Sequence, residues 1–381
     1  MSCSQSTCGA LVALLCSAML SPKVTPPNAF DVVFESIADK LSPKEPWAPL
    51  PGSNSSRSWH EILPPRDPYC PPVYKSCEIA HSFRPRPSDV IITTAPKTGT
   101  TLLQFMAHLI RSGGALNFTD LYDVAPWILV NPLYNGDASD VPQPWQPRVF
   151  KNHQSLAEFD GGRHIIVLRD PAAVLRSWYS FAMERRLPFM RHNGYLHLAA
   201  SLSGLPEWLA ERWLGDTWKS ISEFQKTSLG WRRDMSFGVD LLSYYVEFWH
   251  ARRDPNILLL CYEDLVSNRT RWVQAIADFM DVEVSQDLVN RIVQMTSKEF
   301  MLAHIDKFDG SGYSRMINEK GGVTVKWEGS AKVTKASHAE LSAASLELLQ
   351  KDWAQQVEPS TGLPTYAAMR AAWQAEVSSS S

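Results

Sequence analysis

Asp89-Val-Ile-Ile-Thr-Thr-Ala-Pro-Lys97-Thr-Gly-Thr-Thr101-Leu-Leu-Gln-Phe-Met106 decides how the chain is read. A β-branched apolar run breaks at Pro96 and restarts with helical spacing, which predicts a strand, a tight loop and a helix. Gly99 permits the turn, the amides of Thr98, Gly99, Thr100 and Thr101 fall at a helix N-terminus, and Lys97 adds a cation. Those are the parts of an anion site, and an anionic nucleotide is its natural occupant. In a nucleoside-triphosphate loop the lysine follows the second glycine; here it precedes the glycine, which argues for another class of phosphate donor.

The 381 residues, 44% of them hydrophobic, suffice for one large core. A formal net charge of −3 gives no general attraction to nucleic acid, so any anion site must be built locally. The six cysteines form neither a disulfide framework nor a metal-ligand spacing, so no metal and a reducing, cytoplasmic compartment are expected. Gly9 to Leu20 is apolar but shorter than the roughly 20 residues of a bilayer span. No stable membrane span is expected, and a cleaved targeting peptide stays open. Asn54, Asn117 and Asn268 head Asn-x-Ser/Thr sequons that matter only in a secretory chain.

Three regions follow. Residues 1–28 are an N-terminal segment, targeting or disordered. Residues 29–87 hold an amphipathic helix, with Phe30, Val33, Phe34, Ile37, Ala38 and Leu41 on one face, and a Pro-rich lead-in. Residues 88–381 alternate strands and helices: strands at 89–94, 148–153, 164–169 and 257–262, and helices at 100–111, from Pro171 to about 184, at 237–253, 270–280 and 286–295. Alternation predicts an α/β domain with a mainly parallel central sheet flanked by helices, with ligands at the carboxyl ends of its strands. Lys97, His153 and Arg169 stand at three such ends. Residues 185–236 lack one clean period, and their tryptophans, Trp208, Trp213, Trp218 and Trp231, mark them as the region expected to shape an acceptor pocket.

Pro96-Lys-Thr-Gly-Thr-Thr101 resembles the 5′-phosphosulfate loop of sulfotransferases that use 3′-phosphoadenosine 5′-phosphosulfate (PAPS). Arg169-Asp-Pro-Ala-Ala-Val-Leu-Arg-Ser177 is similar to the family's 3′-phosphate segment, with Arg169 and Ser177 at the binding positions. Lys151-Asn-His153 looks like its Lys-Thr-His. Asp254 to Leu265 resembles the strand that brings a tyrosine, here Tyr262, to adenine, and Met295-Thr296-Ser297 resembles a later adenine contact. The matches run in family order from about Asp89 to Ser297. The resemblance implies PAPS as co-substrate, His153 as general base, Lys97 at the departing phosphate and a small-molecule acceptor.

Departures also stand out. Leu102 and Lys298 replace the Trp and Phe that sandwich adenine in the family, so either other aromatics such as Phe300 substitute or donor affinity is reduced. The late Arg-Lys-Gly has no clean copy: Lys320-Gly321 and Lys326 are both candidate 3′-phosphate contacts. A Lys320…Glu328 run approximates the family's short dimer motif, and oligomeric state stays open. The alternatives are a sulfotransferase-like nucleotide-binding protein with weak or no turnover, and a P-loop-like nucleotide kinase.

Overall fold

A computed structural model describes residues 83–128, 141–156, 161–181, 221, 225, 241–308 and 341–379. The expected 30–41 helix, most of the lead-in, the four tryptophans of 208–231, Lys320, Gly321 and Lys326 lie outside the described residues.

Among the described residues a four-stranded sheet runs in the order β2-β1-β3-β4, where β1 is Val90–Thr94, β2 Val149–Asn152, β3 Arg163–Leu168 and β4 Ile257–Cys261. All three pairings are parallel, with Ile92 opposite Lys151 and Ile165, and Ile166 opposite Leu259. Every residue of β1 is buried, as expected of a central parallel strand covered on both faces. The expected α/β architecture is therefore the observed one.

The crossover helix α1, Thr100–Ser112, begins directly after the loop and ends at Gly113, whose left-handed backbone closes it. Its apolar residues Leu103, Met106 and Ile110 join the core with Val90, Ile92 and Val167. Four of its polar residues are also buried; Thr100 pairs with Thr94, and the other three are spent on the long connection to β2. Gln104 Nε2 donates to Ala125 O at 2.9 Å, His108 Nε2 pairs with Ala115 O at 3.2 Å, and Arg111 Nη1 donates to Gln143 Oε1 at 2.6 Å and Pro147 O at 2.8 Å. Gln143 in turn bonds both N and O of Val149. This network holds a connection that also contains α2, Leu121–Val124, opened by an Asp120/Asp123 capping box. Residues 126–128 then cover the outer edge of β2, with Lys151 N donating to Pro126 O and Ile128 N to Lys151 O.

The remaining elements are α3 (Pro171–Phe181), α4 (Leu241–Ala251), α5 (Tyr262–Ser267), α6 (Arg269–Phe279), α7 (Gln286–Met295), α8 (Lys298–Ala303), α9 (Ala343–Gln356), α10 (Glu358–Thr361) and α11 (Tyr366–Ser379). Three strand ends are corrected by one residue: the strands expected to end at His153, Arg169 and Tyr262 end at Asn152, Leu168 and Cys261. Tyr262, expected as the last residue of a strand, is the first of α5, because Glu263 and Asp264 follow it and favour a helix N-terminus. Phe83, ahead of β1, is buried and meets Phe150 edge-on at 4.9 Å.

A buried ion pair ties β1 to β2 at the amino end of the sheet. Arg148 contacts Asp89 through Nε to Oδ1 at 2.8 Å and Nη2 to Oδ2 at 2.5 Å, with side-chain exposures of 4% and 1%. Removing one partner strands a buried charge, so Asp89→Ala is expected to lower unfolding free energy by about 3–5 kcal/mol in a denaturant titration. His108 gives a pH signature. Burial first, then the Arg111 charge, push its pKa from 6.5 to about 3. Between those values the unfolded chain binds a proton that the fold refuses, so stability falls as pH drops below 6.5. Thermal melts of wild type and His108→Gln from pH 7 to pH 4 are expected to show a shallower decline in the variant.

Candidate active site at the carboxyl ends of the strands

The loop after β1 has two unusual backbone conformations. Lys97 lies at φ 69° and Gly99 at φ 117°, both left-handed. For Gly99 the requirement is also steric: a Cβ there would stand 2.7 Å from Tyr262 Cδ2. The loop is braced from inside by Thr98 Oγ1, which donates to Ala95 O at 2.7 Å, and by the Thr94 and Thr100 hydroxyls, 2.6 Å apart. Thr98 is buried, and its side chain shapes the loop from within. Thr101, half-buried, sits in the first turn of α1.

Arg169 follows β3 and reaches across β1. Its Nη1 donates to Lys97 O at 2.7 Å, and its guanidinium lies 4.3 Å from the centre of the Tyr262 ring. Tyr262, reached from β4, therefore touches both the glycine of the loop and the arginine. The Arg169 Nε is buried and has no hydrogen-bond partner among the described residues. A desolvated guanidinium N–H beside a left-handed loop at a helix N-terminus fits an anion. The next residue, Asp170, accepts from Ala172 N at 2.7 Å and so caps α3 instead of pairing with Arg169. Ser177 stands half-buried two turns along α3, and Phe181 at its end carries the Lys97 ammonium 4.8 Å above its ring.

His153 follows β2 by one residue. Asn152 turns the chain by accepting from Gln154 N at 2.8 Å and donating to Gln154 O at 3.1 Å. Glu247 of α4 holds the next residues, accepting from Ser155 Oγ and from Leu156 N. The imidazole is buried, its Nδ1 is 2.7 Å from Thr94 O, and Trp127 meets it edge-on at 5.2 Å. A carbonyl only accepts, so Nδ1 carries the proton and Nε2 has the lone pair. Burial, then the Lys151 charge, hold its pKa well below 6.5, with the Thr94 bond opposing. The ring is neutral at pH 7.

Lys151 is a site residue that the reading by position passed over, although it belongs to the same Lys-Asn-His run. Its Nζ lies 3.9 Å from the centre of the Trp127 ring and donates to Tyr122 Oη at 2.8 Å. Burial, then Lys97, lower its pKa from 10.5 to about 7. An alternating strand places Lys151 and His153 on one face, and that spacing was the available signal.

The structure thus brings together Lys97, Thr98, Gly99, Thr100, Thr101, Arg169, Tyr262 and His153. Thr296 is buried at the end of α7 with its hydroxyl donating to Ile292 O at 2.7 Å, so that proton is already committed. Lys298 opens α8, and Phe300 stacks on His304 at 4.1 Å and on Phe105 at 6.5 Å. Among the described residues no group of His, Cys, Asp or Glu is arranged to hold a metal ion, and no helix is long and apolar enough to cross a membrane.

The family model described as "Sulfotransferase domain" matches residues 87–351. Sulfotransferase 1 family member D1 of Rattus norvegicus is 23% identical over 290 residues, 74% of this chain and 87% of that protein. Sulfotransferase 4A1 of Homo sapiens is 27% identical over 240 residues, 61% of this chain and 72% of that protein. The crystal structure of retinol dehydratase in complex with androsterone and inactive cofactor PAP superposes with a TM-score of 0.48 at 18% identity, covering 77% of this chain and 85% of that one.

The electrostatic coupling between Lys151 and His153 has a direct test. Lys151→Met removes a charge that opposes protonation, so the His153 pKa is expected to rise toward 6.5. Nuclear magnetic resonance titration of the His153 ring is expected to show its midpoint at higher pH in the variant than in wild type.

Proposed function

The chain belongs to the sulfotransferase-domain family, and from that premise we propose that it moves a sulfuryl group from PAPS to a hydroxyl or amine of a small-molecule acceptor. The observation that carries the reading is the meeting of a left-handed lysine–glycine loop, an arginine with a desolvated Nε and a neutral buried histidine at one end of a parallel sheet.

The backbone of Thr98 to Thr101, at the start of α1, binds the 5′-phosphate, with Lys97 compensating charge on its bridging oxygen. Arg169 and Ser177 bind the 3′-phosphate, which separates this donor from an ordinary adenine nucleotide. Lys320, Gly321 and Lys326 are the further candidates for that phosphate. Tyr262 and Thr296 face adenine, where the committed Thr296 hydroxyl offers a lone pair and not a proton. When bound, PAPS supplies an activated sulfuryl group whose S–O bond to the 5′-phosphate breaks as the acceptor atom bonds to sulfur.

His153 takes the acceptor proton on Nε2, and Thr94 O fixes the tautomer that makes this nitrogen available as the base. Lys151 brings a second cation to the same wall, where Trp127 excludes water from one side. The acceptor is a small molecule, the chemistry needs no metal, and a cytoplasmic, span-free protein suits it.

The test uses purified full-length protein, PAPS, a broad acceptor panel and titration with 3′-phosphoadenosine 5′-phosphate (PAP). Wild type is expected to bind PAP and release sulfated product, and His153→Ala to lose roughly 10²–10⁴ in turnover with PAP binding retained. Full turnover in that variant would remove His153 from the role of base. Mg-dependent ATP turnover would instead indicate a kinase. A second reading, a nucleotide binder with weak or no turnover, is favoured by one observation: Lys298 and the Phe105- and His304-engaged Phe300 stand where an adenine-stacking aromatic is expected. PAP binding without sulfate transfer to any acceptor would select it.

A further inference from the structure

Helix α11 lies beyond residue 351, where the family match ends, yet it touches the donor-side residues through a short polar relay. Tyr366 Oη donates to Glu263 Oε2 at 2.5 Å, and Glu263 Oε1 accepts from the backbone N–H of Asp170 at 2.9 Å. Glu263 is the neighbour of Tyr262, and Asp170 is the neighbour of Arg169. One oxygen of this carboxylate thus joins the two segments that carry the stacked pair, and the other is held by α11. The residue below is held from the same side: Arg370 grips Asp264 through Nη2 at 2.5 Å and Nε at 3.1 Å, with Gln374 Nε2 adding a bond to Oδ1 at 2.8 Å. Tyr245 completes the contact, donating to Arg169 O while its ring meets Tyr366 edge-on at 6.0 Å.

Resting on the reading of this end of the sheet as the PAPS site, we propose that Tyr366 is a positioning residue for the donor nucleotide: through Glu263 and the Asp170 amide it fixes the Arg169 guanidinium against the face of Tyr262. A carboxylate held by only one of its two partners can rotate, and rotation of Glu263 releases the Asp170 peptide on which the direction of Arg169 depends. Burial first, then Cys261 and Glu263, keep the Tyr366 phenol well above its ordinary pKa, so it remains a donor at any physiological pH.

The same helix supplies its own control. Glu376, three turns away, accepts from Arg252 Nη2 at 2.8 Å and Arg253 Nη2 at 3.0 Å, next to the end of α4. It docks α11 without touching Glu263 or Asp170.

Tyr366→Phe, Glu376→Gln and wild-type full-length chains would be compared by calorimetric titration with PAP, by thermal melting and by amide hydrogen exchange over residues 168–176. Tyr366→Phe is expected to weaken PAP binding roughly tenfold, the scale of one hydrogen bond to a charged acceptor, and to speed exchange in that segment. Glu376→Gln is expected to lower the melting temperature with PAP affinity unchanged. Wild-type affinity in Tyr366→Phe, or affinity that simply follows melting temperature across both variants, would overturn the positioning role. A wild-type chain that binds no PAP would instead overturn the donor reading, and this inference with it.

Discussion

The hydrogen bond from Arg169 to the carbonyl of Lys97 is the constraint on which the candidate site depends. It ties the end of β3 to the loop after β1, and it requires Lys97 to hold a left-handed backbone that presents its carbonyl toward the arginine. The arginine can lie there because Tyr262, entering from β4, provides the ring beneath it. Tyr262 can come that close only because residue 99 has no Cβ. Three strand ends are thus locked into one surface by one bond, one stacked ring and one missing methyl group. Tyr366 and Glu263 hold the amide of Asp170, the residue next to that arginine.

Electrostatics on the neighbouring strand follow from burial in the same region. Lys97, Lys151 and His153 are close enough to oppose one another's charge, and the Trp127 and Phe181 rings provide the compensating faces for the two lysines. A histidine in ordinary solvent would be partly protonated near neutrality. Here the buried ring beside a cation stays neutral, and the Thr94 carbonyl selects which nitrogen keeps the proton. The basic groups therefore discourage each other's protonation.

The strands were legible because each central one is a continuous apolar run, and the first helix because Gly99 and Gly113 bound it. The run of Ile257 to Tyr262 was read one residue too far, since nothing in an apolar pattern marks where a tyrosine leaves a strand to open a helix. Helix α11 was not visible at all. Its docking face is polar, with Tyr366, Arg370 and Gln374 at four-residue spacing, and only Met369 is fully buried. Hydrophobic periodicity has no signal for a helix held by hydrogen bonds and ion pairs.

By itself the sequence determined the parallel α/β plan, the loop Pro96 to Thr101 and the candidacy of Lys97, His153 and Arg169, because residue order and period are local properties. The tertiary structure decided what those residues can do. Whether His153 is charged, whether Arg169 reaches the Lys97 carbonyl and whether Tyr262 stacks under a guanidinium depend on partners distant in the chain, as Thr94 and His153 are at 59 residues and Lys97 and Arg169 at 72. Burial and charge fields are sums over neighbours in space, and a linear chain does not contain them until it has folded.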